Sequence, residues 1–258
     1  MNKPLPWAQK KLGQHYLKDT FIIDKITSDF ENSGLPILEI GPGPGILTKN
    51  LAKFSKPFKV IEKDTRFEEH LLESLSKDQI IWGDALKVDL ADLFEQENWE
   101  SVWLVSNLPY NVASPLLVNF LKSPKIKLMT LMFQKEVGNR ILTKDMNSLG
   151  ALSNTYFDIK MLCDVPPEAF LPPPKVDSIV LSFERKEEPV IDLKDFLNFE
   201  SFLRNLFKMK RKQVFKVLKT SHEGSKVEKA LDDLNIDRKR RAETFSLTEV
   251  HELYRHLR

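Results

Sequence analysis

Several stretches of this chain carry groups that could do chemistry, and each sits where an apolar run ends. Asn107-Leu108-Pro109-Tyr110 follows Val102 to Val105, so a buried strand ends by presenting an amide, a stiff turn and an aromatic ring. Gly41-Pro42-Gly43-Pro44-Gly45 follows Ile37-Leu38-Glu39-Ile40 and runs into the helical stretch Ile46 to Phe54. Such glycines let the backbone approach a ligand closely, and the helix start offers free N–H groups. Two common phosphate-binding versions are excluded. A dinucleotide fingerprint needs glycine where Ile46 stands, and a P-loop needs Lys-Ser/Thr where Ile46-Leu47 follow the last glycine. Glu39, just before the turn, suits a ligand with amino or cationic groups better than a pyrophosphate.

Glu62 closes the run Phe58-Lys59-Val60-Ile61-Glu62, 21 residues after Gly41. A carboxylate there can accept hydrogen bonds from both ribose hydroxyls of an adenosine; its other reading is a capping acid ahead of Asp64-Thr65-Arg66. Asp84 follows Gln79-Ile80-Ile81-Trp82 and could accept from an adenine amino group or shape the turn. Together the glycine turn and the two acids fit an adenosine-containing cofactor with no pyrophosphate site.

These residues need strands to carry them. Strands are expected at 37–40, 58–62, 79–82, 102–105, 128–133, 152–161 and 176–183, alternating in the first half with helices that include Asp89–Glu97 and Ala113–Leu121. Asp19 caps an earlier helix carrying Ile22, Ile26 and Phe30, and another opens at Gln134 and reaches Lys144. This pattern predicts a doubly wound α/β sheet, with ligands at the carboxyl ends of its strands. Between Val165 and Pro174 a proline-rich loop fixes Phe170, either as core filler or as a stacking platform for a flat ligand. Lys186-Glu187-Glu188-Pro189 reads as a linker, dividing a domain at 1–185 from a small helical one at 186–258. In the latter, Phe199, Phe202, Leu203, Leu206 and Phe207 form a helical stripe. Ser246 with Glu249 forms a capping box, and Phe245 with Val250 a hydrophobic staple.

The 258 residues suffice for a sizeable core, and 41% hydrophobic with 29% charged residues is ordinary for a globular protein. Cys163 is the only cysteine, which excludes a disulfide framework and favours an intracellular setting. With no apolar run approaching about 18 residues, a cytoplasmic protein is expected. His15 has no second His or Cys at ligand spacing, so no metal site is expected. Net charge is only +2, yet Glu200 to Arg258 holds 15 Lys and Arg against 9 Asp and Glu. A basic tail domain on a mildly acidic body points to a polyanionic partner.

Seven segments, in order, resemble those of the small-subunit (16S) ribosomal RNA adenine N6,N6-dimethyltransferases. They are Lys11-Leu12-Gly13-Gln14-His15-Tyr16-Leu17, Leu38 to Gly43, Val60-Ile61-Glu62-Lys63-Asp64, Gly83-Asp84-Ala85-Leu86, Asn107-Leu108-Pro109-Tyr110, Gln134-Lys135-Glu136-Val137 and Phe170 to Ser178. The resemblance covers nearly the whole chain. It implies a Rossmann-like class I methyltransferase sheet with a small all-α, RNA-binding C-terminal domain. It further implies S-adenosylmethionine as cofactor, held by His15, Leu17, Gly41, Glu62, Asp84 and Asn107. The implied substrate is a pair of adjacent adenines near the 3′ end of small-subunit rRNA. The implied setting is the assembling small ribosomal subunit, with a monomeric enzyme and no membrane.

In that reading Asn107, Leu108, Pro109 and Tyr110 form the catalytic tetrad. The Asn107 side-chain oxygen and the Leu108 carbonyl accept from the adenine amine, while Tyr110 stacks on the extruded base and Phe170 offers a second face. Leu149 stands where relatives usually carry Tyr, and Lys208 to Lys212 matches the family's basic segment only loosely. Two rivals remain: the large-subunit rRNA dimethyltransferases of macrolide resistance, which usually carry isoleucine in place of Leu108, and a non-catalytic RNA-binding assembly factor of the same fold.

Overall fold

The computed structural model describes residues 6–9, 13–142, 146–209 and 211–258. Lys11-Leu12, Lys144 and Lys210 therefore lie outside the described residues. The strands are β1 (Tyr16–Leu17), β2 (Ile37–Ile40), β3 (Phe58–Glu62), β4 (Ile80–Trp82), β5 (Val102–Asn107), β6 (Ile126–Gln134), β7 (Phe157–Val165), β8 (Phe170–Leu171) and β9 (Ser178–Arg185). The helices are α1 (Thr20–Ser28), α2 (Thr48–Leu51), α3 (Glu68–Leu71), α4 (Leu90–Gln96), α5 (Ala113–Lys122), α6 (Lys135–Leu142), α7 (Ser148–Tyr156), α8 (Phe196–Leu206), α9 (Val214–Leu218), α10 (Gly224–Asp233) and α11 (Leu247–Leu257).

Seven strands form one sheet in the order β4-β3-β2-β5-β6-β9-β7. The pairs from β4 through β6 are parallel, and β9 runs antiparallel to β6. The chain leaves β2 toward β3 and β4 on one side, then returns to lay down β5 and β6 on the other. A doubly wound sheet opens at such a reversal, because successive crossovers leave in opposite directions. The opening is visible in the hydrogen bonds. The β2–β5 register ends at Glu39↔Val105, and Ser106 Oγ then donates to the Ile40 carbonyl at 2.7 Å. Beyond that bond Gly41 and Asn107 diverge. The central strands are buried along their length, as their near-continuous apolar sequences require of a sheet covered on both faces.

The chain divides into two compact units, Met1–Gly138 with Ile159–Arg185, and Asn139–Asp158 with Lys186–Arg258. A division at Lys186 coincides with one junction. However, 139–158, read from sequence as part of the first domain, packs with the helical unit instead. The reason lies in α7. Leu152 to Met161 reads as a strand in sequence, but Ser148–Tyr156 is a helix capped by Asn147, whose side chain accepts from Gly150 N, and only Phe157 onward is extended. In the helical unit the Tyr156 ring meets Phe196 at 5.3 Å and Phe199 meets Tyr254 at 5.0 Å. Thr155 donates to the Ala151 carbonyl, so His251 Nε2, 2.8 Å away, donates to Thr155 Oγ1. Burial lowers the His251 pKa to about 4, which keeps that neutral tautomer. The Ser246–Glu249 capping box is present at the start of α11. No helix among the described residues is long and apolar enough to cross a membrane.

Candidate active site

One cleft opens at the carboxyl ends of β2, β3, β4 and β5. It is lined by His15 and Leu17, by Gly41 to Pro44, by Glu62, by Asp84, and by Asn107 through Tyr110. Residues up to 95 positions apart thus meet in one place. The sheet topology brings the glycine turn, Glu62, Asp84 and Asn107 there from the carboxyl ends of β2, β3, β4 and β5, and the segment of β1 adds His15 and Leu17.

The glycine turn is built by its surroundings. Gly41 N bonds the Ile61 carbonyl at 2.9 Å, and Gly41 and Gly43 take φ of +66° and +56°. A Cβ added at either would meet nothing within 4 Å, so only backbone conformation demands glycine there, and the space above the turn is open. Glu39 lies beneath the turn. It accepts from Thr48 Oγ1 at 2.7 Å, tying the end of β2 to the start of α2. Burial pushes its carboxyl up to about 8, with Glu62 adding to the shift, so it is a neutral acid at pH 7 and buttresses the turn.

Glu62 combines both of its sequence readings. One oxygen accepts from Gly43 N at 2.9 Å and the other from Asp64 N at 2.7 Å, so the carboxylate joins the glycine turn to the end of β3. With about four lone-pair sites, the carboxylate retains acceptor capacity for a ligand. Burial raises its pKa, and those backbone donors oppose the rise. Asp84 also has two partners: Leu86 N, which shapes the turn after β4, and Lys63 Nζ at 2.9 Å, which holds its pKa below the ordinary value.

The tetrad is oriented from the N-terminal side. Asn107 Nδ2 donates to the His15 carbonyl at 3.3 Å. His15 Nδ1 lies 2.8 Å from the Pro172 carbonyl, which can only accept, so Nδ1 carries the proton. The His15 ring stacks on Tyr110 at 5.6 Å. Phe170 is the one sequence-predicted site residue that does not line the cleft. It is 1% exposed, pairs through β8 with Leu17 of β1, and meets the His15 ring edge-on at 6.4 Å. The surrounding prolines hold it into the core, so in this structure it supports His15 and offers no second stacking face.

Sequence reading missed the clasp on the N-terminal segment. Gln14 Nε2 donates to Asp64 Oδ2 at 2.9 Å, while Gln14 Oε1 accepts from Gln9 N at 2.8 Å. Asp64 pairs with Arg66, which holds its carboxyl down at about 2, and Arg66 also donates to the Trp7 carbonyl. Gln14 lay within a recognised segment; what gave no signal was its partner, 50 residues away.

The family model for ribosomal RNA adenine dimethylases matches residues 7–258. The chain belongs to the ribosomal RNA adenine dimethylase family. Among similar proteins is the ribosomal RNA small subunit methyltransferase A of Clostridium acetobutylicum, 38% identical over 95% of this chain and 91% of the relative. Proteins of the same description from Clostridium perfringens and Geobacter metallireducens are 40% and 36% identical, covering 93% and 96% of this chain and 87% and 94% of theirs. Of solved structures, a dimethyladenosine transferase from Plasmodium falciparum superposes with a TM-score of 0.76 at 24% identity, over 93% of this chain and 96% of its own. The 23S rRNA methyltransferase ErmE gives 0.70 at 24%, over 94% and 99%. Those two likenesses carry the fold, that of a class I methyltransferase.

Proposed function

We propose that this chain transfers methyl groups from S-adenosylmethionine to the N6 amines of two adjacent adenines near the 3′ end of small-subunit (16S) rRNA, as a monomer acting in the cytoplasm on the assembling small subunit. The observation that carries the chemistry is at the strand end. Asn107 gives one N–H to the His15 carbonyl, and among the described residues neither its Oδ1 nor the Leu108 carbonyl accepts a hydrogen bond. Two acceptors therefore remain side by side on the wall of the cleft.

The cofactor fits the residues present. The open glycine turn admits a ligand against backbone, and Glu62 retains acceptor capacity suited to a ribose diol. Asp84 lines the end where an adenine would lie. S-adenosylmethionine, when bound, supplies a methyl group activated by a sulfonium.

The chain's own residues must make a poor nucleophile react. An adenine amine is conjugated into its ring, so its lone pair is not available. Acceptance of its N–H bonds by Asn107 Oδ1 and the Leu108 carbonyl favours a more tetrahedral nitrogen, and the same dipoles stabilise the positive charge that grows as the N–C bond forms. Tyr110 fixes the plane of the extruded base. None of the cleft's acids is a free base. Glu39 is protonated, Glu62 holds two backbone N–H groups, and Asp84 is paired with Lys63. The amine's proton therefore leaves to water after transfer, when the nitrogen is cationic and strongly acidic.

Small-subunit rRNA is favoured over large-subunit rRNA by the relatives of 36–40% identity, all described as small subunit methyltransferases. Leu108 in the tetrad favours the same choice. The basic 186–258 segment is assigned to RNA contacts. Incubating purified small- and large-subunit precursors with methyl-labelled cofactor tests the assignment. Label at two neighbouring adenines of small-subunit rRNA is expected; label confined to large-subunit rRNA overturns it.

A further inference from the structure

Tyr110 is held at its polar end by a residue the mechanism has not used. Ser178 opens β9, in register with Gln134 of β6, and is 0% exposed. Its Oγ lies 2.7 Å from the Tyr110 hydroxyl oxygen. Tyr110 itself is on the turn after β5, which is closed by a bond from Val112 N to the Pro109 carbonyl. The hydroxyl pair thus ties a residue on a turn to a strand in the interior of the sheet, since β9 lies between β6 and β7.

Stacking on a base needs only the ring face, which phenylalanine has equally. The phenol oxygen is an additional polar group in a half-buried place, costly unless it has a partner. Among the described residues its partner is Ser178, the first residue of β9. His15 takes up one face of the same ring, and its own Nδ1–H is fixed by the Pro172 carbonyl. One end and one face of Tyr110 are therefore set before any base arrives.

We infer that Ser178 is a positioning residue for methyl transfer, its buried hydroxyl anchoring the Tyr110 phenol so that the ring is already oriented for the target base beside Asn107. This rests on the reading of Tyr110 as the base-stacking residue. The consequence is kinetic. A ring free to swing still permits RNA binding, but presents the amine to Asn107 Oδ1 and the Leu108 carbonyl in the wrong geometry for part of the time. Misplacement on the ångström scale costs roughly tenfold to a hundredfold in rate.

The test is a cycle of Ser178→Ala, Tyr110→Phe and the double variant, with Tyr110→Ala as reference. Turnover on undermethylated small-subunit particles is measured per cofactor-binding site, with the cofactor Kd, the KM for particles and the melting temperature alongside. Ser178→Ala and Tyr110→Phe are expected to lower kcat by the same factor, about tenfold or more. The double variant should be no slower than either, because both remove one hydrogen bond. KM and cofactor Kd should stay at wild-type values. Losses that multiply in the double variant, or a Ser178→Ala loss that follows melting temperature and cofactor Kd, would overturn the positioning role. A dead Tyr110→Ala beside a fully active Ser178→Ala would overturn it while sparing the stacking reading. A fully active Tyr110→Ala would overturn both.

Discussion

Asn107 Nδ2 donates to the backbone carbonyl of His15 across 92 residues of sequence, and this one bond decides what the asparagine can do. One of the two Nδ2 hydrogens is committed there, which sets the orientation of the amide and leaves Oδ1 as an acceptor. An adenine amine, which has hydrogens to give, can be met by that oxygen and by the Leu108 carbonyl. The stretch that carries His15 therefore does more than line the cleft, because it orients the Asn107 amide.

Gln14 should consequently matter for cofactor retention. It joins the segment carrying His15 to Asp64, next to the Glu62 end of β3. Gln14→Leu is expected to weaken S-adenosylmethionine binding about tenfold by titration calorimetry, the equivalent of roughly 1.4 kcal/mol. Unchanged affinity would show that the segment closes without this clasp.

Glu39 gives a pH dependence of known sign. An acid whose pKa is raised on folding contributes stability at pH below its unfolded value, and that contribution is lost as pH rises toward its folded value of about 8. The wild-type chain should therefore lose stability between about pH 5 and pH 8 from this group, by on the order of 3 kcal/mol at pH 7. Glu39→Gln keeps an acceptor for Thr48 and cannot ionise. Its melting temperature should fall less steeply over that window, and parallel curves for the two proteins would contradict the assignment.

Arg185, at the end of β9, serves the sheet and α5 together. Its guanidinium donates to the carbonyls of Leu121, Ser123 and Ile126 at 2.9, 2.6 and 2.6 Å, closing the C-terminal end of α5 onto the start of β6. Arg185→Met keeps much of the apolar stem and orphans those carbonyls. A loss of about 2–4 kcal/mol in chemical denaturation is expected; a change within about 0.5 kcal/mol, as at an ordinary surface site, would show that water replaces the cap.

Lys208, Arg211 and Lys212 are exposed between α8 and α9. If this stretch contacts rRNA phosphates, replacing all three with alanine should reduce the slope of log affinity against log salt by about 2–3. An unchanged slope would place the phosphate contacts elsewhere on the chain.

The sequence made most of the cleft legible because its chemistry is local. Each of Gly41, Glu62, Asp84 and Asn107 ends a short apolar run or follows one within two residues, and the parallel sheet brings strand ends together without further information. What stayed hidden was non-local or lacked a period. Tyr16-Leu17 and Phe170-Leu171 are too short to read as strands, and each becomes one only by pairing with the other. The pairing buries Phe170, which sequence could place equally in the core or at the site. In α7, Leu149 through Ser153 are buried in succession with Gly, Ala and Ser among them, so no apolar stripe betrays the helix. Ser178 and Gln14 sat inside recognised segments, but only the fold shows which side chain each one holds.

The most direct test of the account is methyl transfer by Asn107→Ala, measured with labelled S-adenosylmethionine on undermethylated small-subunit particles, with particle binding measured in parallel. The substitution removes Oδ1 together with the bond to the His15 carbonyl, and leaves the strand, the Leu108 carbonyl and the basic helical segment in place. Transfer is expected to fall below detection while particle affinity stays within about twofold of wild type, a difference of less than roughly 0.5 kcal/mol. Wild-type transfer by Asn107→Ala would contradict the claim that this amide prepares the adenine for reaction.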